Sequence, residues 1–284
     1  MTQFASTGAP RAREPLFSIP GIVVVLVGAL LAIQAVLTYF GPAAQDAAYR
    51  DWAFIPARLS ITIWPGRFGE LRGLFSELRA RAGDSPMALE QARVVRDVLT
   101  GGPRLWTLVT YAFLHGSWAH VGVNCVWLVA FGPPIARRFG AIRFLAFFAT
   151  TAVAGALAHW AAASMDFAPL IGASAADSGL MAAAARLIFQ PGAPLGGPRG
   201  YGAASSGPWA DAPAASLAQV LTERRALIFI VVWMVTNFGF GFFAQTLGAS
   251  EAPVAWVAHV GGFAAGLLLF SLFDRRARAR RAPR

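Results

Sequence analysis

Three short groups of residues sit far apart in the chain: His115, His120 and Asn124; Gly172-Ala173-Ser174; and His259-Val260-Gly261-Gly262. Each lies inside an apolar run long enough to cross a bilayer. Polar and ionisable side chains at such depth are costly, so they face a protein interior or a wet cavity and mark function. A serine hydroxyl is a weak nucleophile at neutral pH and needs a base within hydrogen-bond reach. A serine and a histidine in these surroundings therefore point to a nucleophile and its base, in a place where hydrolysis is unexpected.

The composition supports a membrane setting. Of 284 residues, 56% are hydrophobic and only 13% charged, with a mean hydropathy of +0.54. A soluble globular chain carries about 25% charged residues. Several uncharged stretches approach the roughly 20 residues that a transmembrane helix needs. The chain is therefore expected to be an all-α polytopic membrane protein. Its net charge of +10 comes from 24 basic residues, all arginine. They gather at the ends of apolar runs, which is a topology signal and not the footprint of nucleic-acid binding. The single cysteine, Cys125, lies in an apolar segment, excludes a disulfide within the chain and reads as a core residue.

Six spans are expected, at 19–40, 106–133, 142–163, 170–189, 226–248 and 253–273. The first is long and lacks a clear cleavage site, so it reads as a retained helix. Arg137, Arg138 and Arg143 lie in the connection after the second span; Arg186, Arg224 and Arg225 flank the connection after the fourth. The tail holds six more arginines, whereas the other two short connections carry only Asp166 and Glu251. This asymmetry places both termini in the cytoplasm. The expected organisation is a cytoplasmic segment 1–18, a membrane domain 19–273 and a basic tail 274–284. The connection 41–105 forms a long outer loop. Within it, Trp52 to Trp64 is apolar and Trp-bearing, and Leu71, Leu74, Phe75 and Leu78 recur at helical spacing. Such a segment suits either the bilayer surface or a small lid on the bundle. The Gly-, Pro- and Ser-rich stretch 191–215 reads as a flexible loop.

Topology then brings the polar groups together. His120 and Asn124 fall in the outer half of the second span. Ser174 is about four residues into the fourth and His259 about six into the sixth, which at 1.5 Å per residue puts them within a few ångströms of one depth. Gly262 and Gly266 follow the histidine. Gly172, Ala175, Ala176, Gly179, Ala182 and Ala183 line the serine's helix. Small residues let helix backbones approach closely in lipid.

Together these segments resemble the rhomboid family of intramembrane serine proteases, over roughly residues 105–270. The family's second span carries a His and an Asn like those in His115-Gly-Ser-Trp-Ala-His120-Val-Gly-Val-Asn124. Its fourth opens with Gly-x-Ser-Gly, here Gly172-Ala173-Ser174-Ala175, and its sixth carries His-x-x-Gly-x-x-x-Gly, here His259 to Gly266. The resemblance implies a six-transmembrane-helix rhomboid-like bundle, with Ser174 as nucleophile and His259 as general base. It implies that His120, Asn124 and the backbone at Gly172 and Ser174 stabilise the oxyanion, and that His115 orders the outer loop. Implied too are an outer-face endopeptidase for transmembrane protein substrates, no cofactor or metal, and a bacterial inner membrane. Small residues would be favoured at the cut, with helix-destabilising residues nearby.

Two positions depart from the family pattern. Ala175 replaces the glycine after the serine, and Ser178 stands where an aromatic ring often packs near the histidine. Asp177, one helical turn from Ser174, either joins His259 as a third member or, the reading favoured here, faces a water-filled cavity or another polar partner. His159 has no motif around it and reads as structural or interfacial. The competing readings are a catalytically inactive rhomboid-like protein that binds membrane clients, and a small transporter. The transporter reading is weakened by polar groups that lie away from mid-depth and by the lack of repeat symmetry.

Overall fold

A computed structural model describes residues 19–190, 193, 213–243 and 255–274. Among these residues the structure is helical, apart from an isolated pairing of Phe54 with Leu170. The helices are α1 (Gly21–Phe40), α2 (Pro42–Trp52), α3 (Pro56–Ile63), α4 (Gly66–Arg81), α5 (Pro86–Thr100), α6 (Thr107–Thr110), α7 (Trp118–Phe139), α8 (Ala141–Ala162), α9 (Ser174–Ile188), α10 (Leu217–Thr222), α11 (Arg224–Phe243) and α12 (Trp256–Phe273). The segment 1–18, most of the connection 191–215, the end of the expected fifth span at 244–248, the start of the sixth at 253–254 and the tail from 275 lie outside the described residues.

Four helices, α1, α7, α8 and α12, are long and apolar enough to cross a bilayer. Their outward surfaces carry exposed Val25, Val36, Val126 and Leu268, a surface that suits lipid better than water. The second expected span starts later than 106. Residues 107–113 form α6 and one 3-10 turn, and α7 begins only at Trp118, where the Ser117 hydroxyl accepts the His120 N–H at 3.1 Å. Gly140, at φ +78°, ends α7 and turns the chain directly into α8.

The fourth expected span is the shortest. α9 has 15 residues, about 22 Å at 1.5 Å per residue. Gly172, at φ +110°, bends the backbone out of helical geometry just before Ser174. From Ala175 to Ile188 every residue of α9 is buried, because α7, α8 and α12 all pack against it.

That packing depends on missing Cβ atoms. A Cβ at Gly262 would overlap the Ala175 carbonyl, one at Gly266 the Gly179 carbonyl, and one at Gly179 the Thr151 side chain of α8. At the end of the bundle away from Ser174, Arg138 and Asp274 pair through Nε–Oδ1 at 3.0 Å and Nη2–Oδ2 at 2.8 Å, with side chains 2% and 1% exposed. Arg186 donates to the Ala215 and Leu267 carbonyls and to the Ser271 hydroxyl, with its guanidinium 4.7 Å from the Phe270 ring centre. Two arginines counted as topology signals are therefore also structural fasteners.

The connection 41–105 is folded into α2 to α5. Its own core contains Ile55, Leu71, Leu78, Ala92, Val95 and Val98, with Met165 and Phe167 packed on it. Arg58 is buried, donates to the Arg50 carbonyl at 2.6 Å and pairs with Asp97. Phe54 and Leu170 exchange two backbone hydrogen bonds, and the Ala57 N–H donates to the Asp166 carbonyl at 3.0 Å. This subdomain thus grips the segment that leads into α9.

Gly266→Val should drive α12 away from α9, since the new side chain has backbone on its path. Overpacking of this kind costs about 1–3 kcal/mol or more, so the midpoint of thermal unfolding in detergent should fall clearly. A midpoint equal to that of the wild type would show that the two helices do not meet at this crossing.

Candidate active site

The break at Gly172 makes Ser174 the first residue of α9 rather than one about four residues inside a span, and His259 is the fourth residue of α12. The close crossing at Gly262 then sets the two side chains together. His259 Nε2 lies 2.6 Å from Ser174 Oγ. Both residues are half-buried, as is His120, so the pair sits at the edge of the bundle's interior and is not sealed within it.

On the other side of Ser174, α7 brings up its polar residues. The Gly116 N–H approaches His120 Nδ1 at 3.4 Å. With Nδ1 accepting, the ring proton belongs on Nε2. That nitrogen lies over Gly172, only 2.7 Å from where a Cβ would stand. Glycine at 172 is thus needed twice, for its positive φ and for the room the imidazole takes. Asn124 is buried, and its Nδ2 donates to the His120 carbonyl at 3.0 Å, which leaves its second N–H unspent by that bond. As the first helical residue, Ser174 also presents an N–H that has no partner within the helix. The His120 ring stands beside the segment that leads into Ser174.

His115 is buried and acts on the backbone. Its Nε2 accepts the Ala173 N–H at 3.4 Å, and its ring packs edge-on to His120 at 4.9 Å. Its carbonyl accepts the Tyr49 hydroxyl at 2.9 Å. Burial pushes the Tyr49 phenol above its ordinary value. The Gly172 N–H donates to the Tyr111 carbonyl at 3.0 Å, so both residues ahead of Ser174 have their amides held.

Asp177 does not partner His259. Both of its carboxylate oxygens are buried without a hydrogen bond. Three residues along a helix is about 300° of rotation, about 60° short of a full turn, so Asp177 stands on a strip of α9 beside that of Ser174; its missing hydrogen bonds, not its angle, separate it from His259. What lies against His259 Nδ1 is Asn237 of α11, with Oδ1 at 2.6 Å. The available signal was an amide inside the apolar run 226–248. Ser178, in place of an aromatic ring, donates its hydroxyl to the Ser174 carbonyl at 2.7 Å.

The methyl of Ala175 has its own accommodation. Ala175 is buried against α8, where Gly155 faces it; a Cβ on Gly155 would stand 2.5 Å from the Ala175 Cβ and 2.8 Å from the Ala258 carbonyl. The extra methyl points into a space left by glycine on the neighbouring helix, not at the serine's hydroxyl. No cluster of three or more His, Cys, Asp or Glu side chains suited to a metal occurs among the described residues.

The Rhomboid domain family matches residues 102–276, a stretch that holds Ser174, His259, His120, Asn124 and both glycines of the α9–α12 crossing. The chain belongs to the rhomboid family. It is similar to the Rhomboid protease GlpG of Serratia proteamaculans (strain 568), 28% identical over 176 residues, which are 62% of this chain and 50% of that protein. This rhomboid thus spans about half the length of that relative. Family and apolar helices together make it an integral membrane protein.

Gly155→Ala should destabilise the bundle by about 1–3 kcal/mol, and Gly155→Ala with Ala175→Gly should recover part of the loss, the Ala258 carbonyl remaining in the way. Equal unfolding midpoints for the single and double variants would show that the two positions do not share one space. Asp177→Asn should react with a serine-directed fluorophosphonate within about threefold of the wild-type rate, because uncoupled sites act independently. A loss of more than tenfold would return Asp177 to the reacting groups.

Proposed function

We propose that this rhomboid is an intramembrane serine endopeptidase that cleaves transmembrane segments of other membrane proteins near the outer face, through a Ser174–His259 dyad. The observation that carries the reading is the 2.6 Å contact of His259 Nε2 with Ser174 Oγ, at the edge of the bundle. Six spans, both termini in the cytoplasm and a bacterial inner membrane complete it, with residues 19–273 acting as one domain.

The chemistry follows from these positions. Ser174 Oγ attacks the scissile carbonyl carbon while its proton passes to His259 Nε2. Negative charge gathers on the former carbonyl oxygen, where the Ser174 N–H, His120 Nε2–H and Asn124 Nδ2–H meet it. Removing one such donor typically costs about 3 kcal/mol of transition-state stabilisation. The imidazolium then protonates the leaving amine as the C–N bond breaks, leaving an acyl-enzyme at Ser174. A water that gives its proton to His259 attacks the ester, and Ser174 Oγ leaves with that proton. A substrate helix hides its carbonyls in its own hydrogen bonds, so the segment must unwind to be cut. A client-binding protein without catalysis has no need of a serine within hydrogen-bond reach of a base, so the same contact speaks against that alternative.

The decisive measurement uses purified protein in mild detergent with a fluorescent fluorophosphonate, then a reporter whose single transmembrane segment carries small and helix-destabilising residues. Labelling and cleavage should both be present in the wild type and fall at least about 10³-fold in Ser174→Ala and His259→Ala, because residues that act as one unit fail together. Wild-type labelling that survives Ser174→Ala would remove Ser174 as the nucleophile.

A further inference from the structure

α11 is attached to α12 by two aromatic pairs. Trp233 stacks on Phe263 with ring centres 4.1 Å apart and planes 20° from parallel, and Phe238 meets Trp256 at 4.8 Å. Between these pairs along α11 stands Asn237, nearly buried. Its two amide ends have different partners. Nδ2 donates to the Trp256 carbonyl at 3.3 Å, and Oδ1 lies 2.6 Å from His259 Nδ1.

Those two contacts decide a proton position. A carbonyl oxygen only accepts, so the Trp256 carbonyl fixes the end of the amide that faces it as the NH₂ group. The other end, facing His259, is then the carbonyl oxygen, which also only accepts. His259 Nδ1 must therefore carry the ring proton. In a neutral imidazole one nitrogen donates and the other accepts, so Nε2 is left with its lone pair toward Ser174 Oγ. A base needs that tautomer; with the proton on Nε2 the same contact could not take a proton from the serine. The reversed amide would point its NH₂ at Nδ1, which suits only the tautomer with its proton on Nε2, and would set its oxygen against the Trp256 carbonyl, acceptor against acceptor.

We propose that Asn237 is a positioning residue of the reaction: it orients the His259 ring and holds it in the tautomer that activates Ser174, in the place where many triads use a carboxylate. The inference rests on the Ser174–His259 reading. An amide suits this site because it supplies an acceptor without bringing a formal charge into a helix buried in a membrane. The anchoring carbonyl belongs to Trp256, three residues before His259. Base and orienter are thereby referred to the same turn of α12, and a small shift of α11 along α12 would disturb both bonds at once.

The test compares Asn237→Ala, Asn237→Leu and Asn237→Asp with the wild type, using fluorophosphonate labelling rates and thermal unfolding in detergent. Loss of tautomer control is worth up to about 10⁴-fold in a serine protease triad. The rates for Ala and Leu should fall on the order of 10²-fold while unfolding midpoints stay within a few degrees. The Asp variant keeps an acceptor for Nδ1 and should recover to within about tenfold of the wild type. Two results overturn the proposal: an Ala variant that labels at the wild-type rate, or an Asp variant no faster than Ala, which would mark the residue as packing alone. If the wild type itself does not label, the dyad reading fails and this inference falls with it. Wild-type labelling with unaffected Asn237 variants sinks this inference only.

Discussion

The approach of the α12 backbone to α9, at Gly262 and Gly266, is the constraint on which the other contacts rest. Each glycine lies where a single extra carbon would enter a carbonyl of α9, at Ala175 and at Gly179. Apolar side chains in lipid gain little from leaving it, so helices there are held by close packing and by hydrogen bonds between them. With backbones this near, the short side chains of Ser174 and His259 span the gap; with a methyl between them, they would not. The same crossing fixes where along α12 the histidine stands, and therefore where α11 must bring its amide.

A second frame holds the serine from the other end. Irregular backbone at membrane depth is tolerated only where protein or water meets its polar groups. The segment before α9 meets that condition residue by residue: Leu170 with Phe54, Gly172 with Tyr111, Ala173 with His115. Two of these partners come from the stretch just before α7 and one from the junction of α2 and α3. The folded region 41–105 is therefore part of what keeps the start of α9 in place. Far from it, Arg138 with Asp274 and Arg186 with Ser271 close the opposite end by buried, charge-assisted bonds.

The sequence made the helical class legible, and with it the three polar groups and the side of α9 that carries small residues, because each is a local pattern repeated at helical spacing. Where α7 and α9 begin was not legible in the same way. Hydropathy is continuous from 106 to 133, and the break at 114–117 is dictated by His115 and Tyr111 reaching across to the Ser174 segment, a tertiary demand. The same holds for 41–105: the spacing of Leu71 and Leu78 marks a helix, but that it folds back on α5 follows from Val95 and Val98, more than a dozen residues away. Asp177 drew attention as a carboxylate near the serine, whereas its buried oxygens meet no hydrogen-bond partner and an uncharged amide from α11 takes the place beside His259.

Gly155 carries a different lesson, about how a motif is counted. Read letter by letter, α9 has a methyl too many at residue 175. Read as a solid, the α8–α9 crossing contains one methyl and one hydrogen, as it would with the letters exchanged. The unit that must come out right is a volume shared by two chains of atoms 20 positions apart, so a pattern written along one helix can look broken while the space it describes is correctly filled.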